Sequence, residues 1–172
     1  MRKVLQQLSL VTALLGSATP LVAQTESELS LLSQNQSDAN LSLNSVTVKQ
    51  VGLQNEAFIQ QVSSFSTLEV GQLGSGNYLK LQQTGFSNYL NIRQFGDGNV
   101  YSGSVGGENS LLTVFQNGSN NTISQSTLMN NTEMFLLQEG NRNEIIQSGN
   151  LQSTGIKILQ QGEGMRLLVK TN

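Results

Sequence analysis

The side chains whose type and spacing could do chemistry in this chain are amides. Gln50, Gln72, Gln94, Gln116, Gln138 and Gln160 recur every 22 residues. Five residues after each stands Asn55, Asn77, Asn99, Asn121 or Asn143, and Met165 takes that place in the last copy. A carboxamide donates and accepts at once, so identical amides stacked at a regular distance can hydrogen-bond to one another in ladders. That chemistry is association rather than bond making. The usual reactive groups are missing: with no His and no Cys there is no Ser–His or Cys–His nucleophile pair, no thiolate and no ordinary zinc site. Acid–base work would fall to eleven acidic residues, of which Glu56, Glu69, Glu108, Glu133, Glu139, Glu144 and Glu163 are spread along the repeats. Glu139 and Glu144 flank one turn with Arg142 between them, whereas a carbohydrate-cleaving site needs two carboxylates held across a cleft. Asp97 is the sole aspartate of the repeats, which disfavours a calcium-binding coil. The chain therefore reads as non-enzymatic, with no catalytic residue, cofactor or metal. A formal charge of −2 with six Phe and three Tyr supplies neither a steering field nor a stacking platform for nucleic acid.

The elements that must position these amides follow from the same period. Gly52, Gly74, Gly96, Gly118, Gly140 and Gly162 stand two residues after the glutamines, a phase that composition bias alone does not produce. Stepping backward by two from each Gln gives Asn44-Val46-Val48-Gln50, then Ser66-Leu68-Val70-Gln72, then Asn88-Leu90-Ile92-Gln94, and the later copies repeat the code. Stepping forward from the Asn column gives Asn55-Ala57-Ile59-Gln61 and Asn77-Leu79-Leu81-Gln83. Period two inside a period of 22 predicts strands with one apolar, amide-flanked inner face. Seven residues of strand, four of turn, seven of strand and four of turn fill the repeat, with the recurrent Gly in the first turn. The predicted fold is all-β: a solenoid of six stacked strand-turn-strand repeats in two parallel sheets, without helices, over 44–65, 66–87, 88–109, 110–131, 132–153 and 154–172. A single rung buries too little to order itself, and stacking supplies the rest. No proline lies beyond Pro20 to guard a sheet edge.

Residues 1–23 read as an export signal: Arg2 and Lys3, an apolar run from Leu8 to Leu15, then a break at Pro20 and small Ala23. Cleavage is placed between Ala23 and Gln24, with a cut after Ala18 as the alternative. The segment 24–43 falls outside the repeat phase and reads as a flexible leader, with packing of Leu29, Leu31 and Leu32 on the first rung as the alternative.

The phased columns Ser66, Gln72, Gly74, Asn77, Leu79 and Gln83 resemble the repeats of the curlin family of bacterial functional amyloids, over essentially all of 44–172. The last copy, with Met165 in the Asn column and added Lys157, Arg166 and Lys170, is most similar to the degenerate terminal repeat of that family's minor, nucleating subunit. The resemblance implies a secreted, fimbrium-like structural protein of Gram-negative bacteria. It implies self-assembly into extracellular fibres of the biofilm matrix, with roles in adhesion and in templating the major curlin subunit. The expected partners are that subunit and the outer-membrane secretion pore with its accessory factors. By the same resemblance residues 24–43 carry a segment for that pore. The basic terminal repeat is read as the end that associates with the outer-membrane surface, without a transmembrane segment. Two alternatives stay open: a major, fibre-building curlin, and a monomeric adhesive or ice-binding solenoid. The second is disfavoured by the irregular outward columns, Ser45-Thr47-Lys49 in one copy and Leu111-Thr113-Phe115 in another.

Overall fold

The structure is a computed structural model that describes residues 11–15, 29–32 and 43–171. The strands are β1 Val11–Leu15, β2 Leu29–Leu32, β3 Ser45–Leu53, β4 Glu56–Ser64, β5 Thr67–Ser75, β6 Tyr78–Phe86 and β7 Tyr89–Asp97. They continue with β8 Val100–Glu108, β9 Leu111–Ser119, β10 Thr122–Asn130, β11 Glu133–Asn141, β12 Glu144–Gln152, β13 Gly155–Glu163 and β14 Arg166–Thr171. Among the described residues there is no helix.

Odd and even strands separate. One sheet runs β3-β5-β7-β9-β11-β13 and the other β4-β6-β8-β10-β12-β14, every neighbour parallel. The register places each residue on the residue 22 positions later, as in Gln50 on Gln72 and Ile123 on Ile145. The fold is thus a β-solenoid of six rungs in two parallel sheets. At its N-terminal end β1 pairs parallel to β4 and β2 pairs antiparallel to β3. β1 lies in the segment read as an export signal and β2 in the segment read as a leader; the junction Ala23–Gln24 lies outside the described residues.

The predicted inner faces form the core. Leu68, Leu90, Ile92, Leu112, Val114 and Leu136 from one sheet meet Ile59, Leu79, Leu81, Ile123 and Ile145 from the other, all buried. Outward positions such as Lys49, Glu56, Lys80 and Arg93 are exposed. The corners differ from expectation. Strands β3 to β13 are nine residues long, so two residues rather than four lie between them. The bend is made inside the ladder: the recurrent Gly has φ between 99° and 138° in all six rungs, and the backbone beyond it keeps bonding to the next rung. The Gly76 N–H donates to the Leu53 carbonyl at 2.9 Å and the Glu56 N–H to the Asn77 carbonyl at 2.8 Å. A corner that stacks satisfies its own polar groups and needs no loop.

Candidate functional site

Alternation on β3, β5, β7, β9, β11 and β13 brings the Gln column to the inside of the corner, where every member is buried. The amides form one continuous chain of bonds. Gln50 Nε2 donates to Gln72 Oε1 at 2.6 Å and Gln72 Nε2 to Gln94 Oε1 at 2.7 Å. The steps from Gln94 to Gln116, from Gln116 to Gln138 and from Gln138 to Gln160 are each 2.9 Å. From Gln72 to Gln160 the orientation of the amide is set by a further contact to a backbone carbonyl: Gln72 Nε2 also donates to the Glu56 and Asn77 carbonyls, and Gln94 Nε2 to those of Tyr78 and Asn99. Only the NH₂ end can donate there. The ladder therefore has a direction, with donors pointing toward the C-terminal rung and the Oε1 of Gln50 at the opposite end.

The Asn column runs the other way. Asn77 Nδ2 donates to Asn55 Oδ1 at 3.0 Å, and Asn99 to Asn77 and Asn121 to Asn99 at 3.1 Å each. Each Nδ2 also reaches a glycine carbonyl in the same corner of the next rung, Asn77 to Gly96 at 2.7 Å and Asn99 to Gly118 at 2.8 Å. Met165 ends the column, but its backbone N–H still donates to Asn143 Oδ1 at 3.0 Å. Glycine is required beside this network. A Cβ on Gly52, Gly74, Gly96, Gly118 or Gly140 would overlap the carbonyl oxygen of the next glycine of the column, while Gly162, in the last rung, meets only the Met165 side chain.

The second Gln column behaves differently. Gln61 and Gln83 are buried, yet neither amide end has a hydrogen-bond partner. The same column continues with Val105, Thr127 and Gly149, so no ladder extends through it. One rung carries a large-for-small exchange that the period does not announce. Tyr101 is fully buried in a column of Leu79, Ile123 and Ile145, and its ring occupies the space above Gly103, 2.7 Å from where a Cβ would stand. Its hydroxyl donates to Gln125 Oε1 at 2.9 Å. Burial pushes the phenol well above its ordinary pKa.

The carboxylates singled out in the sequence do not converge. Glu139 accepts from Gln161 Nε2 at 2.7 Å, Glu144 pairs with Arg166 at 2.8 Å, and Arg142 pairs with Glu163. These are exposed contacts that tie the fifth rung to the sixth.

The two ends of the coil are unequal. The first rung is overlaid by β1 and β2, and Val46, Val48, Ala57 and Ile59 are all buried. Beyond β13 and β14 no strand follows among the described residues. Leu167, in the column where Ile145 is 0% exposed, is 36% exposed, and Leu168 beside it is 58% exposed. The basic residues of this rung do not face along the coil axis. Lys157 projects from the outer face of β13, its ammonium 5.7 Å from the centre of the Phe135 ring, and Arg166 leans back to Glu144. Lys170 is exposed on β14. Sequence reasoning saw the charge of this rung but not its outward direction, although alternation with Ile156 and Ile158 carries that signal. Comparisons with protein-family models, curated proteins and solved structures return no match for this chain.

Proposed function

We propose that this chain is a non-enzymatic structural protein of curli-type amyloid fibres, exported to the cell surface, where it nucleates polymerisation of a major curlin-like subunit. One observation carries the reading: the amide ladder is directional and ends unmatched. Among the described residues, Gln160 Nε2 keeps one N–H beyond its bond to the Glu144 carbonyl, Gln50 Oε1 accepts from no ladder amide, and Leu167 of the last rung is 36% exposed beside β13 and β14, each paired on one side only. Such an edge is a template for another chain with the same column code, because it offers backbone pairing, apolar cover and register together. A strand of a different period would satisfy the first and fail the other two. The outward direction of Lys157, Arg166 and Lys170 leaves that edge accessible, so a basic patch for an anionic outer-membrane surface and a templating edge are compatible on one rung. Passage through an outer-membrane pore and its accessory factors, and a matrix and adhesion role, belong to the same reading.

The test is substoichiometric addition of the purified chain to a monomeric major curlin, followed by amyloid-dye fluorescence. The expected result is a shortened lag. An unchanged lag refutes nucleation, and rapid self-assembly without any effect on the other chain favours a fibre-building subunit instead.

A further inference from the structure

The outer face of the β3-β13 sheet carries an apolar stripe that stacking along the coil axis leaves uncovered. It runs through Val51, Leu73 and Phe95, then moves one column over to Phe115, Leu137 and Leu159. The Phe95 and Phe115 rings join its two halves, their centres 5.0 Å apart. Leu73 and Leu159 are 47% and 52% exposed, and among the described residues no other element packs on this face. Beside Leu73 the face has a notch of about 400 Å³ over Gly71. Neither backbone nor packing within the chain asks for glycine there: Gly71 does not adopt a left-handed φ, and a Cβ would meet nothing closer than Arg93 Cγ at 3.8 Å. A strand glycine that no bend explains marks close approach of another group.

The face is complementary to itself in one arrangement. A two-fold axis running along β9 keeps every column in place and reverses the rungs, so that β5 meets the partner's β13, β7 its β11, and β9 its own copy. Gly71 then receives the partner's Leu159, Glu69 faces the partner's Lys157, and Arg93 stands one column from the partner's Glu139. Each charge has capacity left for this: Glu69 accepts from Asn91 through Oε2 alone, Arg93 uses Nε for Asn91, and Lys157 lies over the Phe135 ring. Phe115 and Leu111 meet their own copies on the axis, which sets an aromatic anchor at the centre of the contact. Other pairings are penalised. A two-fold along the coil axis puts Arg93 against the partner's Arg93 and Glu69 over the partner's Leu73. Shifting the antiparallel pair by one rung either lays Glu69 on the partner's Phe135 or leaves Gly71 with nothing opposite. Five overlapping rungs at about 4.8 Å and nine-residue strands at about 3.3 Å per residue give on the order of 700 Å² per partner, close to the roughly 800 Å² of a standard interface.

We propose that two copies of this chain pair face to face through this sheet, antiparallel along the coil axis, with Leu159 of each seated in the Gly71 notch of the other. Arg166 and Lys170 belong to the opposite sheet and stay on the outside of the pair.

Sedimentation velocity of the freshly dissolved full chain over a concentration series reads this pairing. A monomer–dimer equilibrium is expected, weakened at least tenfold in Glu69→Lys and in Lys157→Glu and restored to within threefold of wild type when the two reversals are combined. Within one chain these side chains stand four rungs apart, about 19 Å, well beyond the screening length of roughly 8–10 Å, so rescue can arise only between chains. Gly71→Leu fills the notch and should also weaken pairing at least tenfold. Circular dichroism checks that each variant keeps the wild-type β spectrum, and the charge reversals decide alone if Gly71→Leu does not fold. A monomer at every concentration overturns the proposal. A dimer indifferent to the single reversals, or one that the double reversal fails to restore, overturns it as well.

Discussion

Replacing Gly74 with alanine should damage this fold far more than the same change at Gly76, two residues away in the same corner. Both have positive φ, 122° and 64°. At Gly76 a Cβ meets nothing within 4 Å, so the cost is the left-handed penalty alone, about 1–2 kcal/mol. At Gly74 the Cβ overlaps the Gly96 carbonyl oxygen and stands 2.8 Å from its carbon. Relief requires the two rungs to part by on the order of 1 Å, which lengthens a corner bond beyond useful range. That carbonyl is also an acceptor for Asn77 Nδ2 at 2.7 Å, so a buried amide loses one of its two acceptors, Asn55 Oδ1 being the other. Backbone strain of about 1–3 kcal/mol and a weakened buried amide at about 1–3 kcal/mol sum to roughly 2–6 kcal/mol, centred near 4. Guanidinium denaturation of both variants, followed by far-ultraviolet circular dichroism, measures the difference. A gap of about 2 kcal/mol or more is expected, with the denaturant slope unchanged. Equal destabilisation of the two would refute the argument that stacking distance, rather than local conformation, selects glycine in this column.

The two Gln columns should respond in opposite directions. Gln94→Met breaks the chain between Gln72 and Gln116 and strands buried amide groups, costing about 1–3 kcal/mol, whereas Gln83→Met removes an amide with no partner and should be neutral or stabilising; denaturation midpoints of the pair decide. The raised pKa of Tyr101 means that its contribution is fully present below the unfolded phenol value near 10 and is lost as pH rises through the folded value, at about 1.4 kcal/mol per pH unit. Stability measured between pH 9 and 11 should therefore fall less steeply in Tyr101→Phe than in wild type, and identical slopes would contradict a buried neutral phenol. A chain ending at Ser153 uncovers β11 and β12 with Gln138 and Asn143, so it should keep its seeding activity in solution while being shed from cells into the medium. Normal surface retention of that truncation would remove the anchoring role of Lys157, Arg166 and Lys170.

The inner faces were legible because two periods coincide in them: alternation by two places Leu90 and Ile92 inward, and the repeat of 22 stacks each on its equivalent. The same regularity set the Gln and Asn columns and the glycine beside them. Strand length was not legible, because a glycine signals a bend without showing that the bend keeps its backbone bonds. The second Gln column looked like the first at Gln61 and Gln83, but a ladder depends on atomic separation across the sheet, and there the amides do not meet. Tyr101 above Gly103 is a compensation between neighbouring columns, which a reading taken one column at a time does not expose. The edge strands β1 and β2 lie outside the repeat phase, so no internal comparison could place them.

The central claim, that each molecule adds six stacked rungs in line with the next, is tested most directly by mass per unit length of fibres grown from this chain. Rungs spaced by about 4.8 Å give one chain for roughly every 29 Å of fibre, with the axial reflection of a parallel sheet. One chain for about every 4.8 Å, the density of flat chains stacked singly, would contradict the solenoid as the assembling unit.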